Sequence, residues 1–389
     1  MLPESMNLND FLQSKPLYYD KIDLSRMPRA YALVEKELDP GRIVHIIGTN
    51  GKGSTGRMLA ELLRSRNLKV GHYSSPHILS FNERIWIEGK DISDSALQKA
   101  HERLYGLLPQ TVSESLSYFE YTTLLALVAF EGLDIVVFEA GLGGEFDATS
   151  VVERELSVVT PIGMDHQAFL GETIKEIAAT KLRSIAPRAV MAPQPSPQVY
   201  DVARSIAARK GSELIFTENL PDESARERIE KIRRKKGWPE FLSQNAATAL
   251  VAAEAVLGGM PDPSALAAVT LRGRFEKIAP NVILDVGHNT LAAKAVAEAL
   301  DGRKPVLVYN AYEDKEVETI LEIFAPHVSG LELIEIQSPR AMEREKIVAA
   351  AERVGLKAGT FTGVDEKSDY LVFGSFAVAE AFLKRNDET

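Results

Sequence analysis

The 389-residue sequence contains no cysteine, and its apolar residues never run far: the longest uninterrupted stretch is Leu124–Phe130. Without cysteine, disulfides, thiolate zinc sites, iron–sulfur clusters and cysteine nucleophiles are excluded. A stretch that short falls well below the ~20 residues a membrane-spanning helix needs. The start, MLPESMNLNDFLQSK, is polar and lacks the apolar core of a secretory leader. We therefore expect a cytoplasmic protein with no membrane partner. Positive charge is also short, since 45 Lys and Arg face 55 Asp and Glu, a net charge of −10. That balance disfavours a nucleic-acid partner but leaves room for phosphate, which a few main-chain amides and one lysine can hold. The one basic run, Arg226 to Lys236, is interleaved with Glu223, Glu227 and Glu230 at helical spacing and reads as a solvated helix face.

What the chain does have is alternation. Short β-branched runs at Ile43–Ile47, Lys69–Ser74, Asp134–Glu139, Leu156–Thr160, Ala189–Met191 and Glu213–Phe216 are separated by helical patterns, the mark of a parallel sheet with crossover helices. Met58, Leu59, Leu62 and Leu63 give the first crossover helix one apolar face. After Leu271-Arg272-Gly273-Arg274 the alternation restarts, with strands expected at Val282–Asp285, Pro305–Tyr309, Leu331–Ile336 and Tyr370–Phe373. The expected fold class is α/β in two domains. Residues 1–270 form a phosphate-loop NTPase-like domain with a mostly parallel sheet, and residues 271–389 form a smaller Rossmann-like α/β domain.

Between the first expected strand and its helix lies Gly48-Thr49-Asn50-Gly51-Lys52-Gly53-Ser54-Thr55. Glycines let the backbone wrap an anion, the helix N-terminus adds partial positive charge, and Lys52 can reach terminal phosphates. Ser54 and Thr55 supply hydroxyls suited to Mg²⁺ or phosphate. The segment is not a strict Walker A, because Ile46 stands where that pattern needs glycine. Glu139, at the end of a strand, belongs at the carboxyl edge of the sheet, where open α/β sheets bind ligands. Asp165-His166 follows the next strand at the same edge.

With Tyr73-Ser74-Ser75-Pro76-His77, Phe81-Asn82-Glu83-Arg84-Ile85, Ser117-Tyr118-Phe119-Glu120, Glu139–Gly144, Asp147-Ala148-Thr149, Asp165-His166, Gln244–Ala249, Leu271–Glu276, Asp285–Asn289, Asp314-Lys315 and Gly374-Ser375-Phe376, the loop resembles the folylpolyglutamate synthase/dihydrofolate synthase family, a branch of the Mur-type amide ligases. These motifs run in family order from residue 48 to residue 376. The resemblance implies ATP-dependent addition of L-glutamate to dihydropteroate, to folates or to both, through an acyl phosphate. It implies Lys52, Glu139, His166, Lys181 and Arg274 as catalytic residues. ATP would meet Thr49 to Thr55, Asn245, Arg274 and Asp285. Ser75, Pro76, His77, Phe119, Asp147 and His288 would face substrates. Two Mg²⁺ sites would draw on Ser54, Ser75, Glu139, His166 and Lys181, the last as a carbamate. Family likeness also implies a monomer. The chain departs from the family pattern at Glu145, where an arginine is usual, and around Lys181–Ile185, where one residue is extra.

Two other readings compete. A cell-wall Mur ligase would carry a UDP-binding domain ahead of a phosphate loop that here begins at residue 48. A phosphate-loop ATPase or switch without ligase activity would leave the second domain and Asp165-His166 unexplained.

Overall fold

The computed structural model describes residues 7–16, 23–217 and 223–387, so the first six residues of the polar start lie outside the described ones. The chain divides into two compact units, residues 1–162, 174–232 and 244–269 against residues 163–173, 233–243 and 270–389. The main division thus falls at Val269/Thr270, and two short earlier segments group with the second unit.

The first unit is built on eight strands: β1 (Arg42–Ile47), β2 (Val70–Tyr73), β3 (Ile85–Ile87), β4 (Lys90–Asp91), β5 (Ile135–Glu139), β6 (Leu156–Val159), β7 (Arg188–Met191) and β8 (Glu213–Phe216), in the order β4-β3-β2-β5-β1-β6-β7-β8. From β2 to β8 the pairings are parallel, and β3 and β4 join antiparallel at one edge. β1 is central, and every residue after Arg42 is buried, as expected of a strand covered on both faces. The helix Lys52–Arg64 follows it, with Met58, Leu59, Leu62 and Leu63 buried as its apolar spacing requires. On one side of the sheet Phe138, Tyr73, Tyr121, Leu124 and Phe130 form the centre of the core; each fully buried side chain of this size contributes about 1.5–3 kcal/mol.

The second unit carries β9 (Glu276–Ala279), β10 (Val282–Leu284), β11 (Val306–Tyr309), β12 (Gly330–Leu333), β13 (Ala358–Thr360) and β14 (Tyr370–Phe373), in the order β13-β12-β11-β14-β10-β9. Only β9 is antiparallel. Val317, Ile320, Leu321 and Phe324 pack one face of the helix Val317–Phe324 against this sheet's core.

The expected strands all form, with ends shifted by a residue or two. Leu331–Ile336 stops earlier, at Leu333. The basic run lies on the helix Glu223–Lys236, which buries Ala225, Ile229 and Ile232 and leaves its arginines and lysines exposed or half-buried.

Candidate active site

The phosphate loop leaves β1 at its carboxyl end. Gly48 has φ +147°, and a Cβ there would lie 2.0 Å from Thr160 Oγ1, so only glycine fits. Thr49 N and Asn50 N donate to Pro161 O at 2.9 and 3.2 Å, which fixes the loop against the end of β6. Gly51, at φ +83°, caps the following helix, and the Asn245 side-chain amide packs against the space where its Cβ would be. Lys52 Nζ rests 3.3 Å from Thr49 O and 3.5 Å from Gly48 O. Ser54 is buried, and Thr55 Oγ1 is buried with no hydrogen-bond partner among the described residues. A buried, unsatisfied hydroxyl in the first turn of that helix fits a phosphate oxygen as its acceptor.

Glu139 ends β5, and Ile46 of β1 pairs with it in register. Its buried carboxylate accepts from Ser75 N at 3.4 Å. Lys181, on the helix Ile174–Leu182, is also buried, and its Nζ donates to Gly48 O at 2.9 Å. The loop, Ser75, Glu139 and Lys181 therefore gather at one sheet edge of the first unit. A serine hydroxyl and a carboxylate are hard oxygen donors of the kind Mg²⁺ prefers, so Ser54, Ser75 and Glu139 fit that ion.

Between Glu139 and the next strand the chain makes a tight loop. Asp147 Oδ2 accepts from Leu142 N at 2.7 Å, and Oδ1 accepts from Thr149 N at 2.9 Å and from Thr149 Oγ1 at 2.5 Å. Burial raises the Asp147 carboxyl above its ordinary value, against the pull of these donors. The side chain expected to face substrate is thus engaged in holding its own loop. Gly144 sits on Lys181, where a Cβ would lie 2.5 Å from Lys181 O, and Glu145 pairs with Arg183 at 2.8 Å.

The aromatic segments lie nearby in the same unit. Arg84 Nε donates to His77 Nδ1 at 2.8 Å, and the buried guanidinium stacks over Phe81 and Tyr118. Phe119 covers Gly141, where a Cβ would lie 2.4 Å from its ring. Glu120 closes a capping box with Ser117 and pairs with Arg26 at 2.8 Å.

The second unit holds the other expected residues. Asp165 lies 2.7 Å from Lys315 Nζ, 3.5 Å from His288 Nε2 and 3.0 Å from Asn289 Nδ2. Burial opposes its ionisation, but the hydrogen bond and charge of His288, with the charges of His166 and Lys315, outweigh it and hold the carboxyl far below the usual range. Asp165, His166 and His288 each bring one donor atom within 4.8 Å of the others, the one such metal-capable group among the described residues. His166 thus falls in the unit that does not contain Glu139. Asp285 is buried and accepts from Phe275 N and Gly287 N, both at 2.8 Å. Burial raises its pKa, partly offset by Arg274. Arg274 itself lies over Phe376. Lys315 and Arg84 are charged members of motifs noted in the sequence but given no role there; His45, treated below, gave no local signal.

A phosphate loop on a parallel sheet, a buried carboxylate and lysine beside it, and a second α/β unit with a cluster of imidazole, carboxylate and lysine groups define an ATP-dependent ligase of the two-domain Mur type. No family model matches the chain. It is 31% identical over 383 residues to dihydrofolate synthase/folylpolyglutamate synthase of Haemophilus influenzae, covering 89% of this chain and 84% of that one. To the same-named protein of Escherichia coli it is 33% identical, covering 78% of this chain and 75% of the other. Among solved structures, folylpolyglutamate synthetase of Helicobacter pylori matches with TM-score 0.80 and 37% identity over 98% of both chains. The Yersinia pestis bifunctional enzyme with Mn, AMPPNP and L-glutamate bound matches with TM-score 0.81 and 25% identity over 99% of this chain and 100% of that one. The chain belongs to the dihydrofolate synthase/folylpolyglutamate synthase family. It is an ATP-dependent glutamate ligase of folate metabolism.

Proposed function

We propose that this chain joins L-glutamate both to dihydropteroate and to reduced folates. The observation that supports this reading is the convergence of the phosphate loop, Glu139 and Lys181 on one sheet edge, beside the aromatic segments at His77 and Phe119. An acceptor carboxylate oxygen takes the γ-phosphoryl group of ATP, giving an acyl phosphate and ADP. The glutamate amine then attacks the carbonyl carbon, inorganic phosphate leaves, and the amine gives up a proton.

Two anions must meet in the first step, so cations decide its rate. Lys52 meets the terminal phosphates, and Arg274 adds a second positive group. Thr49 to Thr55 cradle the phosphates, Asn245 and Asp285 hold the nucleoside, and His288 faces nucleotide or amino acid. Ser54, Ser75 and Glu139 would hold Mg²⁺, which would supply charge neutralisation at the transferring group; His166 is the ligand proposed from the second unit. Lys181, as a carbamate, would add a further oxygen donor. Ser75, Pro76, His77 and Phe119 line the pterin side, with Asp147 fixing the loop beneath them. We place the chain in the cytoplasm as a monomer; the lack of cysteine is compatible with a reducing compartment.

A side-by-side assay of purified protein with ATP, Mg²⁺ and L-glutamate tests the reading. Phosphate release and glutamylated product are expected with dihydropteroate and with tetrahydrofolate. Turnover of one alone would restrict the activity to that substrate, and ATP hydrolysis indifferent to glutamate would leave a bare ATPase.

A further inference from the structure

His45 lies on β1, three residues ahead of the phosphate loop, and is fully buried. Its Nε2 is 2.8 Å from Thr149 Oγ1, and Thr149 Oγ1 is 2.5 Å from Asp147 Oδ1. The direction of this chain follows from proton counting. Both Asp147 oxygens already accept main-chain N–H groups, so the carboxylate is an acceptor throughout and the single Thr149 proton points to it. The Thr149 oxygen can then only accept from His45, which must carry its proton on Nε2. Among the described residues His45 Nδ1, buried, has no hydrogen-bond partner. Such an orphan costs about 1–3 kcal/mol, set against the hydrogen bond that Nε2 gives to Thr149.

The turn that this chain holds follows Glu139. Ala140 N donates to Ile46 O at 2.9 Å and Leu142 N donates to Asp147, so residues 140–142 are tied to β1 directly and again through Asp147, Thr149 and His45. On its far side the same loop reaches the Lys181 helix, where Glu145 N donates to Thr180 O at 3.1 Å and Gly144 packs on Lys181. We infer that His45, Thr149 and Asp147 are positioning residues, a hydrogen-bonded strut that sets Glu139 and Lys181 in register with the phosphate loop and so shapes the divalent-cation site. The inference rests on the proposed role of Glu139 as a metal ligand.

The test is Mn²⁺ titrated into protein saturated with ADP, followed by the EPR signal of free Mn²⁺. Thr149→Val removes the hydroxyl at nearly constant volume and should weaken Mn²⁺ binding about 10- to 100-fold, the usual range for lost outer-shell support. Thr149→Ser should restore most of the affinity. His45→Leu should behave like Thr149→Val, and His45→Gln, which keeps a donor near the Nε2 position, should recover part. A loss of packing alone would lower the thermal midpoint of all four variants without sorting them by hydrogen-bonding capacity. If Thr149→Val does not fold, His45→Gln against His45→Leu carries the comparison. In the wild-type protein, ¹⁵N spectra should show a protonated Nε2 and a bare Nδ1 on His45; the opposite tautomer overturns the strut. Glu139→Gln separates the two ideas: Mn²⁺ binding unchanged in it removes the ligand role, and the strut's rationale with it. Binding weakened in Glu139→Gln but unchanged in Thr149→Val removes the strut alone.

Discussion

Lys181 and Gly48, 133 residues apart, meet through one hydrogen bond: the buried ammonium donates to the first carbonyl of the phosphate loop at 2.9 Å. A lysine buried at that point costs the fold its desolvation, and its place against the loop ties the helix Ile174–Leu182 to the nucleotide site.

Lys181→Ala should lose nearly all ligase turnover, and added formate or acetate should restore part of it by standing in for a carbamate. Unfolding should also become easier by about 1–3 kcal/mol, because the Gly48 carbonyl loses its short donor. Turnover with and without carboxylate, beside a urea melt, checks both. Full activity in the variant would remove Lys181 from the site; loss without rescue would leave it a structural lysine.

Lys52→Ala should behave differently. Among the described residues its ammonium touches two loop carbonyls, at the limit of hydrogen-bond distance, so the fold loses little. kcat should fall about 10²–10³-fold or more, the scale of losing one charged group at a transferring phosphoryl. Steady-state kinetics and circular dichroism measure the contrast, and a variant within a few-fold of wild type would show that the side chain does not meet the transition state.

The Lys315–Asp165 pair is buried on both sides. Removing one partner strands the other, so Lys315→Met should destabilise the second unit by about 3–5 kcal/mol. Differential scanning calorimetry should show an early transition in this variant. An unchanged trace would mean that His288 and Asn289 suffice to hold the Asp165 carboxylate.

His45 gives a pH dependence. Burial, helped by the charge of Arg154, pushes its imidazole down to about 3. The folded value lies below that of the unfolded chain, about 6.5, so acid favours unfolding: stability falls as pH drops from 6.5 towards 3 and is flat with respect to this group above 6.5. His45→Gln does not titrate there. Between pH 7 and pH 4.5 the wild type should therefore lose about 2–3 kcal/mol more than the variant. Paired urea melts at the two pH values give the difference, and parallel curves would mean that His45 is not held neutral in the fold.

Legibility in the sequence followed how local the cause was. The central strands show as β-branched runs because both faces of each are covered, and the phosphate loop shows because its glycines, lysine and hydroxyls are contiguous. The edge strands Lys90–Asp91, Glu276–Ala279 and Ala358–Thr360 are two to four residues long and carry no apolar run, so only their neighbours make them strands. The union of His45 with Thr149 depends on a turn 104 residues away, which no spacing announces. Glu145 and Arg183 illustrate the same limit. Each stands in a stretch that departs from the family pattern, and only the fold brings the two together, at 2.8 Å. As an exposed pair it is worth at most about 1 kcal/mol.

The grouping of residues 163–173 with the second unit has a consequence for biosynthesis. Asp165 and Lys315 are separated by 150 residues, so at about 5–20 residues per second the carboxylate is made roughly 8–30 s before its cation. Throughout that interval the acid has no Lys315 to meet. The second unit therefore completes itself late, by reaching back for a segment translated long before its own sheet.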